Sequence, residues 1–105
     1  MAQLTVVYWR DIPAQVIVKK GRRDEAKIQL TERFEKAIDR AAMRAKLRDT
    51  DSYLGEWRKV ALGEVSDDLQ AEAGKKAAAL EAEFDEAKLA ALVEAGGKIA
   101  GGEAG

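Results

Sequence analysis

The stretch TERFEKAIDRAAMRAKL, Thr31 to Leu47, decides how the rest of the chain can fold. With Leu30 just before it, its apolar side chains fall at Phe34, Ala37, Ile38, Ala41 and Ala45. That three-and-four spacing marks one face of an α-helix. Thr31 stands where an N-cap belongs, since a threonine hydroxyl accepts a bond from an amide of the first turn. Glu32 follows where the helix dipole favours an anion, and Arg44, Lys46 and Arg48 lie where it favours cations. On the opposite face Lys36, Arg40, Arg44 and Arg48 recur every four residues as one basic stripe. The helix therefore has a core side and a cationic side.

Upstream of it the period changes from helical to extended. Leu4-Thr5-Val6-Val7-Tyr8-Trp9 is rich in β-branched and aromatic residues and reads as a strand. Asp11-Ile12-Pro13 interrupts it, because Pro13 lacks an amide hydrogen and holds Ile12 extended. Gln15 to Lys19 reads as a second strand and Lys20-Gly21-Arg22-Arg23 as a turn. Glu25 to Leu30 alternates polar and apolar residues, the signature of a half-buried third strand.

Downstream, Thr50 or Asp51 can cap a short helical turn holding Tyr53, Leu54 and Trp57. Arg58 to Leu62 is either a short edge strand or irregular, with Gly55 and Gly63 weakening both readings. Ser66-Asp67-Asp68 starts a helix, and residues 67–95 read as one long helix with Gly74 as a local weak point. Glu72 and Lys76 are spaced to pair along it. Gly96-Gly97 ends it, and the Gly-rich tail 96–105 reads as flexible. The expected architecture is α+β, with a three-stranded antiparallel meander, a central helix packed on one face and a long C-terminal helix. It forms a single domain over residues 1–95.

Composition narrows the chemistry. A chain of 105 residues is one domain. Its hydrophobic share is 47%, but much of that is alanine, so the core is modest. There is no cysteine, which excludes disulfides, thiolate nucleophiles and Cys-ligated metals. There is no histidine, which removes the commonest general base and metal ligand. No apolar run approaches the roughly 18 residues of a membrane helix, and the N-terminus does not read as a signal peptide. A cytoplasmic protein is expected, with no membrane partner. The net charge of −1 conceals a division. Residues 1–60 hold 14 Lys/Arg and 9 Asp/Glu, net +5, and residues 61–105 hold 4 and 10, net −6. The two halves can neutralise one another, or the first can present a basic surface to an anionic partner.

Some of these segments also form a familiar pattern. Trp9-Arg10-Asp11-Ile12-Pro13-Ala14-Gln15-Val16 is followed by Gly21-Arg22-Arg23 and by Arg33-Phe34. Ala37-Ile38-Asp39-Arg40-Ala41-Ala42-Met43 comes next, then Asp51-Ser52-Tyr53-Leu54 with Trp57. Together they resemble the small virulence factor domain family, which includes the C-terminal domain of conserved virulence factor C. The resemblance covers residues 3–60, and the long C-terminal helix lies outside its clearest part. It implies little chemistry, because the family name describes a phenotype rather than a reaction. Longer relatives fuse the domain to a scaffold-like domain and helical repeats, which implies an interaction or accessory role. Stand-alone versions are associated with bacterial gene neighbourhoods for cobalamin- and folate-dependent methyl transfer.

Three constellations carry the functional expectations. The cations Lys19, Lys20, Arg22 and Arg23, with Lys36, Arg40 and Arg44, could converge on one region if the third strand leads directly into the helix. Arginine suits phosphate and carboxylate because its planar fork donates two parallel bonds. Otherwise these cations form a solvated, salt-bridged face. Tyr8, Trp9, Tyr53 and Trp57 are aromatic anchors or, more often, core packing. Glu35 and Asp39, four residues apart, could share a proton or bind a hard cation, but the surrounding Arg33, Lys36 and Arg40 favour ordinary ion pairs. The leading expectation is a non-catalytic binding module for a protein partner. Lys20, Arg22, Arg23, Lys36, Arg40 and Arg44 would give electrostatic contacts, and Trp9, Tyr53 and Trp57 apolar ones. No catalytic residue, metal ligand or cofactor is assigned. The alternative is an accessory component of a methyl-transfer system that binds an anionic cofactor, and nucleic acid is the third candidate, disfavoured by a pI of about 5.6.

Overall fold

The computed structural model describes residues 2–46 and 50–97. In chain order its elements are β1 (Ala2–Trp9), β2 (Ile12–Lys20), β3 (Asp24–Gln29), α1 (Glu32–Arg44), α2 (Thr50–Leu54), β4 (Trp57–Val65), α3 (Leu69–Glu83) and α4 (Glu86–Glu94). The fold is α+β, and the strands form one antiparallel sheet in the order β3-β2-β1-β4.

The sheet has four strands where the sequence reading expects three. Residues 57–65 pair with β1 along its whole length, from Trp9↔Trp57 to Ala2↔Val65. The register slips between Leu4 and Thr5, where β4 carries Leu62 as an extra residue and Gly63 adopts φ +118°. Such a bulge breaks the alternation by which a strand is recognised. β1 is thereby a central strand. A second bulge between Val7 and Tyr8 leaves Ala14 of β2 without a partner on β1. Pro13 beside it is tolerated in a central strand because the ladder is already interrupted there.

Val60, Val6, Val16 and Ile28 form one row across the sheet, and α3 packs over its β1, β2 and β3 strands. Ala73, Ala77 and Leu80 of α3 are buried. Small residues bring this helix close: a methyl added at Gly74 would meet Ile28 Cδ1 at 3.9 Å. Val6, Val16 and Val18 are fully buried, each contributing roughly 1.5–3 kcal/mol.

The single long helix expected over 67–95 is two helices. Asp68 caps α3 by accepting a bond from Ala71 N–H, and Asp85 caps α4 by accepting one from Lys88 N–H at 2.8 Å. Asp85 competes for backbone amides more effectively than a helix interior does, so the chain restarts there. Gly74 does not break α3, and Glu72 pairs with Lys75 and Ser66 rather than Lys76. The turn at Phe84 directs α4 back along α1.

α1 packs against α4 and against β2. Leu30 N–H bonds Ala14 O just before it begins, and Ala45 at its end lies against Gly96, whose carbonyl accepts from Arg10 in the β1–β2 turn. Thr31 holds the N-cap position but makes no side-chain cap bond. Its hydroxyl donates instead to Glu81 Oε1 at 2.9 Å, and its amide to Glu81 Oε2 at 2.8 Å. Arg33 donates to the same carboxylate and to the carbonyls of Glu81 and Phe84 at the end of α3. One carboxylate thus serves the start of α1 while one guanidinium closes the end of α3.

Gly96 and Gly97 end α4 with φ +72° and +95°, as the sequence implies. They are buried and belong to the fold rather than to a tail. The stripe residue Arg48 and the remaining tail, Lys98 to Gly105, lie outside the described residues.

Two tests, one with a paired control, probe this arrangement. A Cβ at Gly97 would stand 2.7 Å from the Trp9 ring in a left-handed backbone. Gly97→Ala is expected to cost about 2–4 kcal/mol in urea unfolding, combining backbone and packing penalties. Gly21→Ala meets open space at φ +66° and should cost only roughly 1–2 kcal/mol. The second test is Glu81→Gln. Burial raises the Glu81 pKa, but the Thr31 and Arg33 bonds outweigh it and hold the carboxyl below its usual range. A depressed folded-state pKa means stability present above the unfolded value of about 4.3 and lost as pH falls through the folded value. The variant should lose roughly 1–2 kcal/mol at neutral pH, and the difference from the native chain should vanish in acid.

Candidate functional site

α1 sorts its charges by face. Phe34, Ala37, Ile38, Ala41 and Ala42 are buried. On one flank of this core side, Arg33, Lys36 and Arg40 border a groove against α4. The groove encloses about 320 Å³, with Ala37, Leu89 and Val93 supplying its apolar part. Lys36 is paired with Glu32 at 3.3 Å on the exposed side, and Arg44 bridges to Glu94 of α4. Arg40 is exposed and makes no ion pair among the described residues. This part of the basic stripe therefore keeps an available guanidinium beside apolar surface.

The other flank is acidic. Glu35 and Asp39 line a second cleft of about 220 Å³ with Ile38, Tyr53 and Trp57. Neither carboxylate carries an ion pair or hydrogen bond among the described residues, against the sequence expectation of salt bridges to Arg33, Lys36 or Arg40. Those cations project to the α4 flank and are taken by Glu81 and Glu32 or left to solvent. Burial pushes the Tyr53 hydroxyl pKa up, and the charges of Asp39 and Glu35 push it further, while the Trp57 indole beside it acts in the opposite sense. No cluster of metal-ligating side chains occurs among the described residues.

The aromatic residues assemble as one group. Trp9 and Tyr53 are tilted at 31° with centroids 5.8 Å apart, and Tyr53 and Trp57 meet edge-to-face at 6.2 Å. Tyr53 and Trp57 are half-buried, but Trp9 is fully buried, with its indole N–H bonded to Tyr53 O at 3.1 Å. Trp9 is a packing residue and not a surface anchor. On the far side of Trp57, Arg10 and Arg58 form a third cleft, but Glu56 holds Arg10 at 2.7 Å and Asp11 holds Arg58 at 3.1 Å.

The cations do not converge. Lys20, Arg22 and Arg23 surround the β2–β3 turn, where Lys20 pairs with Asp24 in register and bonds Asp67 at 3.1 Å. α1 starts beyond the other end of β3, past Gln29, so Lys36, Arg40 and Arg44 lie a strand-length away. The α4 side of the groove, Leu89 and Val93, is absent from the sequence-based site. Those residues are legible only as part of an apolar stripe until α4 is seen to turn back.

A family model described as "Virulence factor" matches residues 7–93. The match runs through α4, well beyond the segment 3–60 that carries the resemblance. No curated protein and no solved structure matches the chain. No helix among the described residues is long and apolar enough to cross a membrane.

The field of the acidic flank can be read from Tyr53. Ionising its hydroxyl creates an anion beside Asp39 and Glu35, so Asp39→Asn should lower its titration midpoint toward the usual value of about 10. Alkaline titration by near-ultraviolet absorbance checks this, with Tyr8 as internal reference, since burial first and then the charges of Glu83 and Asp11 raise its pKa.

Proposed function

The chain belongs to the virulence factor family, and on that premise we propose that it works as a non-catalytic accessory module of the cytoplasm, acting through protein–protein contacts. The observation that supports this reading is the groove between α1 and α4. It joins an apolar strip, Leu89 and Val93, to an unpaired Arg40 and a loosely held Lys36. A helix with one apolar face and acidic neighbours is complementary to such a groove, the apolar strip giving affinity and the cations giving register. Arginine beside partly buried apolar surface is also the composition of interface hot spots.

An anionic cofactor finds less. The cleft that brings arginine and tryptophan together, at Arg10, Trp57 and Arg58, has both guanidiniums already neutralised by Glu56 and Asp11. Arg22 and Arg23 are exposed on a turn with no apolar wall beside them in any of the three clefts.

Affinity capture from the source cell's lysate tests the reading. The native chain should retain one protein stoichiometrically, and Lys36→Glu/Arg40→Glu should lose it, while Arg22→Ala/Arg23→Ala keeps it. Retention should weaken as salt is raised. If only a small molecule or nucleic acid is retained, or if the turn variant rather than the groove variant loses the protein, the reading fails.

A further inference from the structure

The groove leaves the opposite flank of α1 unexplained. There, two carboxylates one helical turn apart line a cleft with two aromatic rings, and among the described residues no side chain neutralises them. Ordinary surface acids are solvated singly and need no ligand. These differ in their surroundings: Tyr53 and Trp57 stand at 80° to one another, with Ile38 completing an apolar wall. Gln29 adds a neutral amide at the cleft, so among the described residues the formal charges that line it are negative. The field of both carboxylates reaches the Tyr53 hydroxyl.

Two aromatic rings at an angle, backed by anionic charge, match one chemistry. A cation with an apolar shell is attracted to the ring quadrupole and to the carboxylates together, and it sheds its weakly held water at little cost. A hard divalent ion is a poor match, because it asks for six or more oxygens and the cleft offers two carboxylates and an amide. An anion is repelled. We propose that the cleft between α1 and the Tyr53–Trp57 pair is a recognition site for a quaternary ammonium group, borne on a small molecule or on a trimethylated lysine side chain. Trp57 and Tyr53 form its aromatic walls, and Glu35 and Asp39 supply the counter-charge. This site is independent of the α1–α4 groove and carries the opposite charge preference.

The test uses the whole chain and follows the Trp57 indole N–H resonance by two-dimensional NMR. Choline chloride is titrated against sodium chloride at equal ionic strength, and against choline's neutral carbon isostere. Choline should shift the Trp57 resonance saturably and bind about tenfold more tightly than the isostere. Glu35→Gln/Asp39→Asn, both at exposed positions, should weaken choline binding about tenfold with the fold intact by circular dichroism. Lys36→Glu/Arg40→Glu should leave it unchanged. A parallel titration with N-acetyl-Nε-trimethyllysine methylamide separates the sources: tighter binding than choline assigns the site to a trimethylated lysine side chain, weaker binding to a small quaternary ammonium. Equal binding of choline and its isostere, no saturation, or full affinity in the acid variant would overturn the proposal.

Discussion

Trp9 is buried because Gly97 has no side chain, and this close approach ties both ends of the described chain together. The indole occupies the space that a Cβ at Gly97 would need, and Gly97 O accepts from Asp11 N–H at 2.8 Å. Around this contact Arg10 adopts φ +54°, a conformation that disfavours residues with a Cβ. The strain is offset by bonds from its amide to Glu56 O, from Nε to the Glu56 carboxylate and from Nη1 to Gly96 O. The end of β1, the entry to β4 and the exit of α4 therefore meet at one residue pair and one guanidinium. The aromatic cleft depends on the same pair, because Tyr53 is positioned by the Trp9 ring and by the bond from its indole N–H.

Much of this was legible in the sequence, for reasons that are local. The alternation of Ala26 and Ile28 marks β3 and the spacing of Phe34, Ala37, Ile38 and Ala41 marks α1, whereas Ile12 and Pro13, which read as an interruption after the first strand, begin β2. Each signal depends on residues within a turn or two of one another. The errors arise where a distant partner decides. β4 forms because β1 offers it a free edge, and its own pattern is broken by the bulge at Leu62 and Gly63. Asp85 divides the C-terminal helix because Phe84 packs against Phe34 and Arg33 accepts the task of closing α3. Thr31 and Glu81 are fifty residues apart, so no local rule assigns the Thr31 hydroxyl to that carboxylate instead of the cap.

The surfaces of α1 show the same division. Its basic stripe is plain in the sequence, and so is the four-residue spacing of Glu35 and Asp39. Which charges are consumed is not. Spacing alone favours acids paired with the nearby arginines. In the fold, α3 supplies Arg33 with a carboxylate and two carbonyls, and the acids are left facing aromatic rings from a different part of the chain. The helix consequently separates charge across its width as well as along its axis. One flank is suited to anionic segments and the other to cations, with the buried face between them.

The position of β1 governs the order in which the fold can close. Its pairing with β2 is a hairpin across a two-residue turn, with little loop entropy to overcome. Its pairing with β4 waits for the intervening α1 and α2, and the seat of Gly97 on Trp9 waits for nearly the whole chain. The nucleus is thus drawn from the first thirty residues and their helix, while the C-terminal seam assembles last. By the same logic it is the first part to open. Hydrogen exchange at the end of α4 and around Trp9 would then report a sub-global excursion that leaves the β1–β2 hairpin protected.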